Sequence, residues 1–172
     1  MQQSTARFLK FGIFGVAILA LSGCAATGFG GSGPFNNQTA QIANISDQGN
    51  FTAASALAEA RAQFRANNFG YSAAYYKKYT EISPQSSQGY VGLAASYDRL
   101  GRFDLADRVY ASLRRIGGET AQYYNNVGYS YLMRGSLQTA LANFRKAAAL
   151  DPDNITISNN IQLLADAAAT RA

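Results

Sequence analysis

Two asparagine pairs, Asn125-Asn126 and Asn159-Asn160, stand 34 positions apart. Each amide offers a donor and an acceptor, so the chemistry they suit is hydrogen bonding to another chain's backbone. Little else in the sequence could do chemistry. There is no histidine, which removes the commonest general base and metal ligand. The single cysteine, Cys24, excludes an intrachain disulfide. The acids are scattered: Asp151 and Asp153 flank Pro152, and Asp104 with Asp107 opens a helical stretch, where capping is the simplest role. The glycines of GFGGSG follow no strand and open no helix, so they make no phosphate loop. These residues point to recognition and not to an enzyme, a metal site or a cofactor.

The elements that would hold the asparagines repeat with the same spacing. Three blocks of equal length, 53–86, 87–120 and 121–154, align without insertion. Position 8 carries Ala60, Ala94 and Gly128; position 20 carries Ser72, Ala106 and Ala140. Small side chains there let two helices of one block approach closely. Position 24 carries Tyr76, Tyr110 and Phe144, and position 11 carries Gln63, Tyr97 and Tyr131. Tyr97, Tyr110, Tyr131 and Phe144 are the predicted core rings. Position 15, the turn, carries Asn67, Gly101 and Gly135; position 32, the stop, carries Pro84, Gly118 and Pro152. The first block departs at positions 11, 20 and 27 and is expected to be the weaker repeat. Ile155–Ala169 has Ile157, Ile161, Leu164 and Ala168 at helical spacing and would cap the open end.

This pattern resembles the tetratricopeptide repeat. The implied fold is all-α: a right-handed solenoid of three helix pairs plus a C-terminal capping helix, spanning 53–172. In such repeats the first helix of each pair lines a concave groove. The resemblance places Arg61 and Phe64, then Gln88, Val91, Ala95, Asp98 and Arg99, then Gln122, Asn125, Tyr129, Leu132 and Met133 in that groove. Asn159 extends it into the cap. Asn125 and Asn159 would read a peptide backbone, with Tyr129, Leu132 and Met133 giving apolar contact. A structural role is the alternative, and Asn126 and Asn160 are the better candidates for it.

The N-terminus has another character. Arg7 and Lys10 precede an apolar run, Phe11–Leu21, which is too short to span a bilayer at about 20 residues. It suits the hydrophobic part of a signal peptide. Leu21-Ser22-Gly23-Cys24 resembles the bacterial lipobox, which implies cleavage before Cys24 and acylation of its thiol. Ordinary cleavage near Ala25-Ala26 is the other reading. Residues 1–23 would then be a lipoprotein signal peptide, and 24–52 an acylated cysteine with a flexible Gly/Ser/Asn/Gln tether reaching roughly 30 Å. Partial docking of Phe29, Phe35 and Ile42 on the first repeat is the alternative for the tether. Ala25, in place of Asp, favours the outer membrane under the lipoprotein sorting rule. Removing residues 1–23 leaves 13 basic residues against 10 acids, a net charge of +3. That is too mild for a nucleic-acid partner. The doublets Lys77-Lys78, Arg114-Arg115 and Arg145-Lys146 suit solvated helix faces, with contact to lipid headgroups as the alternative.

A narrower resemblance rests on YNNVGYSYLMRGSLQTALANFRKAAALDPDN and the second Asn pair. They are similar to the tetratricopeptide lipoprotein of the tight-adherence (Flp-type) pilus system, the TadD family. The resemblance covers about 87–164, with the lipobox as separate support. It implies a lipid-anchored, periplasm-facing protein of the outer membrane whose partner is an outer-membrane secretin or another pilus-machine component. It implies no cofactor and no small-molecule substrate. A scaffold or regulator of cell-envelope enzymes, acting on peptidoglycan or in barrel assembly, shares the architecture and is the alternative.

Overall fold

The computed structural model describes residues 41–170. Contacts divide the chain into two units, Met1–Gly31 and Ser32–Ala172, and every described residue lies in the second. Cys24, Phe29, Phe35 and the expected signal peptide lie outside the described residues. The described elements are a short 3-10 turn, Ser46–Gln48, and seven α-helices. These are α1 (Ala53–Arg65), α2 (Phe69–Ile82), α3 (Ser87–Arg99), α4 (Phe103–Gly117), α5 (Ala121–Met133), α6 (Leu137–Leu150) and α7 (Ile155–Ala169). The described residues contain no strand. The fold is the expected all-helical solenoid: α1/α2, α3/α4 and α5/α6 pair, and α7 packs on the last pair.

The register follows from local chemistry. The first helix of each pair, and α7, begins at position 1 of its block. Thr52 caps α1 through a reciprocal bond with Ser55, Thr120 caps α5 through Tyr123 N, and Asn154 caps α7 through Thr156 N and Ile157 N. The turn at position 15 needs a left-handed residue in all three repeats. Gly101 and Gly135 adopt φ 70° and 77°, and Asn67 adopts φ 60°. Asn is the side-chain-bearing residue that tolerates this conformation best, so its presence at position 15 of the first block preserves the turn.

Small residues act where two helices meet. Gly128 on α5 faces Phe144 on α6, and a Cβ at Gly128 would stand 2.7 Å from the ring. Phe144 is 0% exposed as a result. Tyr97 and Tyr110 are buried as expected. Tyr131 is not: it is half-buried, and its ring lies under the Arg134 guanidinium at 4.8 Å. The first repeat departs from the pattern in sequence and packs by other means. Ser72, at the small position 20, donates to Ala60 O at 3.0 Å and pairs with Ser96 Oγ at 2.9 Å, and Tyr79 at position 27 is buried. The hydroxyls replace apolar contact with satisfied hydrogen bonds.

The apolar core is divided. One cluster joins α1 to α4 through Ala60, Phe69, Ala73, Tyr76, Leu93, Tyr97, Tyr110 and Leu113. A second, built on Ala140, Phe144 and Leu164, joins α5, α6 and α7. Tyr123 and Val127 of α5 pack on the first cluster, and beside them the joint of the second and third repeats carries a buried polar cluster. Asp98 of α3 is 2% exposed and accepts from Tyr110 Oη of α4 at 2.7 Å and from Ser130 Oγ of α5.

The structured part also starts earlier than residue 53. Ala43 N donates to Gly70 O at 3.2 Å, Gln48 bonds the Tyr75 hydroxyl, and Phe51 meets the Tyr75 ring edge-on at 5.5 Å. Ile45 and Phe51 pack on the first cluster. The stretch from Ala43 to Phe51, at the end of the expected flexible tether, is therefore docked on the first repeat. Ile42 is exposed and borders a shallow hollow beside Lys77 and Lys78.

Candidate functional site

The first helices of the three pairs, with α7, present two adjacent hollows. One, of about 340 Å³, is bordered by Arg61 of α1, Tyr76 of α2, Gln88, Val91 and Gly92 of α3, and Gln122 of α5. The other, of about 300 Å³, is bordered by Phe64 of α1, Ala95, Asp98 and Arg99 of α3, Tyr110 of α4, Asn125, Asn126, Tyr129 and Met133 of α5, and Thr156 and Asn160 of α7. The sequence expectation is thus gathered into one face, with three exceptions.

Leu132 borders neither hollow. It turns to the second core cluster, which it packs against partly buried. Asn159 is exposed on α7 and lies outside the hollow, and the cap contributes Asn160 in its place. The capping helix thus presents the position after the one its repeat register predicted. Asp98 reaches the hollow but is no surface charge for a ligand. Its two oxygens are held by Tyr110 and Ser130. Burial pushes its carboxyl up to about 6, against the hydrogen bonds from Ser130 and Tyr110 and the nearby Arg134, which pull it down. Burial and the facing Asp98 carboxylate raise the Tyr110 phenol well above its ordinary value.

The asparagines exchange roles. Asn125, expected to read a ligand, is buried, and its Oδ1 accepts from Asn160 Nδ2 at 2.9 Å. This bond ties α5 to the cap. Asn126 is half-buried, and its side-chain amide makes no hydrogen bond among the described residues; its main-chain oxygen lies 3.3 Å from Tyr110 Oη, whose proton points chiefly to Asp98 at 2.7 Å. The amide with open valences is therefore Asn126. The sequence carried a signal for this: position 5 of a repeat helix, where Asn125 sits, lies one helical turn from Tyr129 but also faces the following helix.

The rest of the hollow is amphipathic. Arg99 is half-buried with its guanidinium 4.2 Å from the Phe69 ring centroid, so the ring fixes the charge without neutralising it. Phe64 meets Phe69 edge-on at 5.3 Å and is held beside it. Tyr129 and Met133 are half-buried, one a rigid ring and the other an adaptable thioether. The hollow therefore offers one placed cation, open amide valences and an apolar wall. That combination can bind a short stretch of polypeptide. Among the described residues no group of acids or cysteine could hold a metal ion, and no helix is long and apolar enough to cross a membrane.

Comparison with known proteins agrees with the fold. A family model described as the tetratricopeptide repeat matches residues 121–154, the third pair. The chain is 23% identical over 104 residues to the small glutamine-rich tetratricopeptide repeat-containing protein 2 of Mycosarcoma maydis, a match that covers 60% of this chain and 30% of that protein. Among solved structures, the first tetratricopeptide domain of human RPAP3 superposes with a TM-score of 0.60 at 18% identity, covering 69% of this chain and 93% of that domain. The first tetratricopeptide domain of Spaghetti (RPAP3), bound to the HSP90 peptide SRMEEVD, superposes with a TM-score of 0.58 at 18% identity, covering 68% and 93%.

Proposed function

We propose that this tetratricopeptide-repeat chain is an adaptor that grips an extended segment of a protein partner in the hollow between α1, α3, α5 and α7. One observation carries the reading: the open Asn126 amide, the fixed Arg99 cation and the Tyr129–Met133 wall border a single cavity of about 300 Å³. An unpaired amide reads main chain whatever the side chains of the ligand. A guanidinium held by an aromatic ring selects a segment carrying a carboxylate. The ring and thioether add apolar area at the centre of the contact.

The finer reading places this adaptor in the outer membrane, facing the periplasm and anchored through an acylated Cys24. There it assists assembly of the secretin of a tight-adherence pilus. The supports are the lipobox-like Leu21-Ser22-Gly23-Cys24 and the likeness of about 87–164 to the pilus lipoprotein. The test is a deletion strain complemented with wild type or with Asn126→Ala/Tyr129→Ala. The deletion is expected to lose secretin multimers and surface pili, with the double variant restoring neither. Normal multimers and pili in the deletion strain reject the pilus role. Restoration by the double variant rejects the hollow.

A further inference from the structure

A second cavity lies outside the hollow. It is a cleft of about 630 Å³ between α4 and α5, where the second and third repeats meet. Tyr123 and Val127 of its lining pack on the first apolar cluster, and Tyr131 packs on the second. The Asp98–Tyr110–Ser130 cluster separates the two cavities: Tyr110 borders both, Asp98 only the hollow, and Ser130 only the cleft.

The cleft has the form of a groove. α4 contributes Asp107, Ala111 and Arg115 at successive turns; α5 contributes Tyr123 and Val127, and Arg134 follows at its C-cap. The helices run antiparallel: Arg134, at the end of α5, holds Asp107, near the start of α4, by two bonds of 2.6 and 2.9 Å. Arginines therefore stand at both ends, Arg114 and Arg115 at one and Arg134 at the other. The middle presents Ala111 and Val127, with the buried Tyr110 and Ser130 beneath them. From Tyr123 to Arg134 the groove runs about 16 Å at 1.5 Å per residue.

The charge of the groove is unbalanced. Three guanidinium groups border it against one carboxylate, Asp107. Arg134 is fixed by that carboxylate and by the Phe103 and Tyr131 rings, each 4.8 Å from its guanidinium carbon. Arg114 is held by Glu119 on the rim. Among the described residues Arg115 has no acid: it bonds Ser112 Oγ, at 2.9 Å, and is exposed. The Tyr123 and Tyr131 hydroxyls make no hydrogen bond among the described residues, so two neutral donors accompany the open cation.

We propose that the α4/α5 cleft is a second docking site, which takes an acidic helical segment of a protein partner with carboxylates toward its ends and aliphatic side chains between them. The recessed form, the aliphatic Ala111 and Val127 in the middle and the separated charges fit a chain laid lengthwise between two helices. A membrane surface presents no ridge to enter such a groove. The site is independent of the amide-lined hollow, so one adaptor can hold two segments at once.

The test is fluorescence anisotropy on the full chain in neutral detergent. The probe is a labelled helical peptide of about eleven residues, three turns, with Glu at both ends and Leu and Ala between. Its Glu→Gln counterpart is the control, and phosphatidylglycerol vesicles are the competitor. Saturable binding of the Glu peptide is expected. Binding should weaken at least tenfold for the Gln peptide, for Arg115→Glu and for Ala111→Trp, which plugs the exposed floor. Tyr129→Ala should leave it unchanged. Equal binding of the two peptides, or indifference to both Arg115→Glu and Ala111→Trp in variants that melt like wild type, overturns the proposal. Loss on Tyr129→Ala moves the peptide to the hollow. Vesicles that bind Arg115-dependently while the peptide does not make the cleft a lipid-phosphate site, and that too overturns it.

Discussion

The Asn160 amide donates to Asn125 Oδ1 across 2.9 Å, and so joins the capping helix to the third repeat. The bond is made where α7 covers the open end of the solenoid, beside the hollow that both residues border. It gives the buried Asn125 an internal partner and leaves Asn126 to face a ligand. Removing either member is expected to cost about 0.5–1.5 kcal/mol, the net worth of an ordinary hydrogen bond. Chemical denaturation of Asn125→Ala, Asn160→Ala and the double variant checks this, and the two single losses should not add. Asn126→Ala should leave the midpoint in place.

Asp98 makes stability depend on pH. Its carboxyl titrates at about 6 in the folded chain against an ordinary value of 3.8, chiefly because it is buried. The folded state thus binds a proton that the unfolded state has released, and stability falls as pH rises from about 4 to about 6. Above that range the cost is constant, on the order of 3 kcal/mol for a shift of about two units. Asp104 and Glu119, exposed carboxyls pulled down by Arg102 and Tyr124 respectively, act with the opposite sign at lower pH. The difference between wild type and Asp98→Asn isolates the buried group. Wild type should gain on the variant as pH drops from 7 to 4.5, and a pH-independent difference would remove Asp98 from this role.

Phe144 and Gly128 form a matched pair. Phe144→Ala is expected to cost about 3–5 kcal/mol, because the ring is 0% exposed and its neighbours close on it. Gly128→Ala should also destabilise, by about 1–3 kcal/mol, because its Cβ would meet the ring at 2.7 Å. Combining Gly128→Ala with Phe144→Leu should recover part of that loss in a thermal melt.

The N-terminal reading makes a separate prediction. Chain purified from membranes should begin at Cys24 and carry acyl groups in its intact mass. Several acyl chains at about 0.8 kcal/mol per buried methylene hold a protein stably at a bilayer. Cys24→Ser should give an uncleaved or soluble species. Cleavage near Ala25-Ala26 would defeat the lipoprotein assignment.

The repeat register was legible because it depends on residues close in sequence. The small residues of positions 8 and 20, the left-handed turn at position 15 and the stop at position 32 act within one helix pair. The helix starts at 53, 87, 121 and 155 follow from them. The site was only partly legible. Position 12 points toward a groove in general, yet Asp98 is consumed because Tyr110 and Ser130, 12 and 32 residues away, both donate to it. Asn125 is likewise taken by a residue 35 positions on. The docked stretch from Ala43 to Phe51 escaped for a different reason. It has no helical period, and its hold on α2 comes from a main-chain bond, one glutamine and two apolar side chains.

The central claim is that a partner segment lies in the hollow beside Tyr129. In-cell photocrosslinking tests it most directly, with p-benzoylphenylalanine placed at Met133 in the hollow and, as control, at Leu163, an exposed residue of α7 outside it. The account predicts a discrete protein adduct from position 133, identified by mass spectrometry as an outer-membrane assembly component, diminished by Arg99→Ala and absent from position 163. No adduct at 133, or equal adducts at both positions, would contradict it.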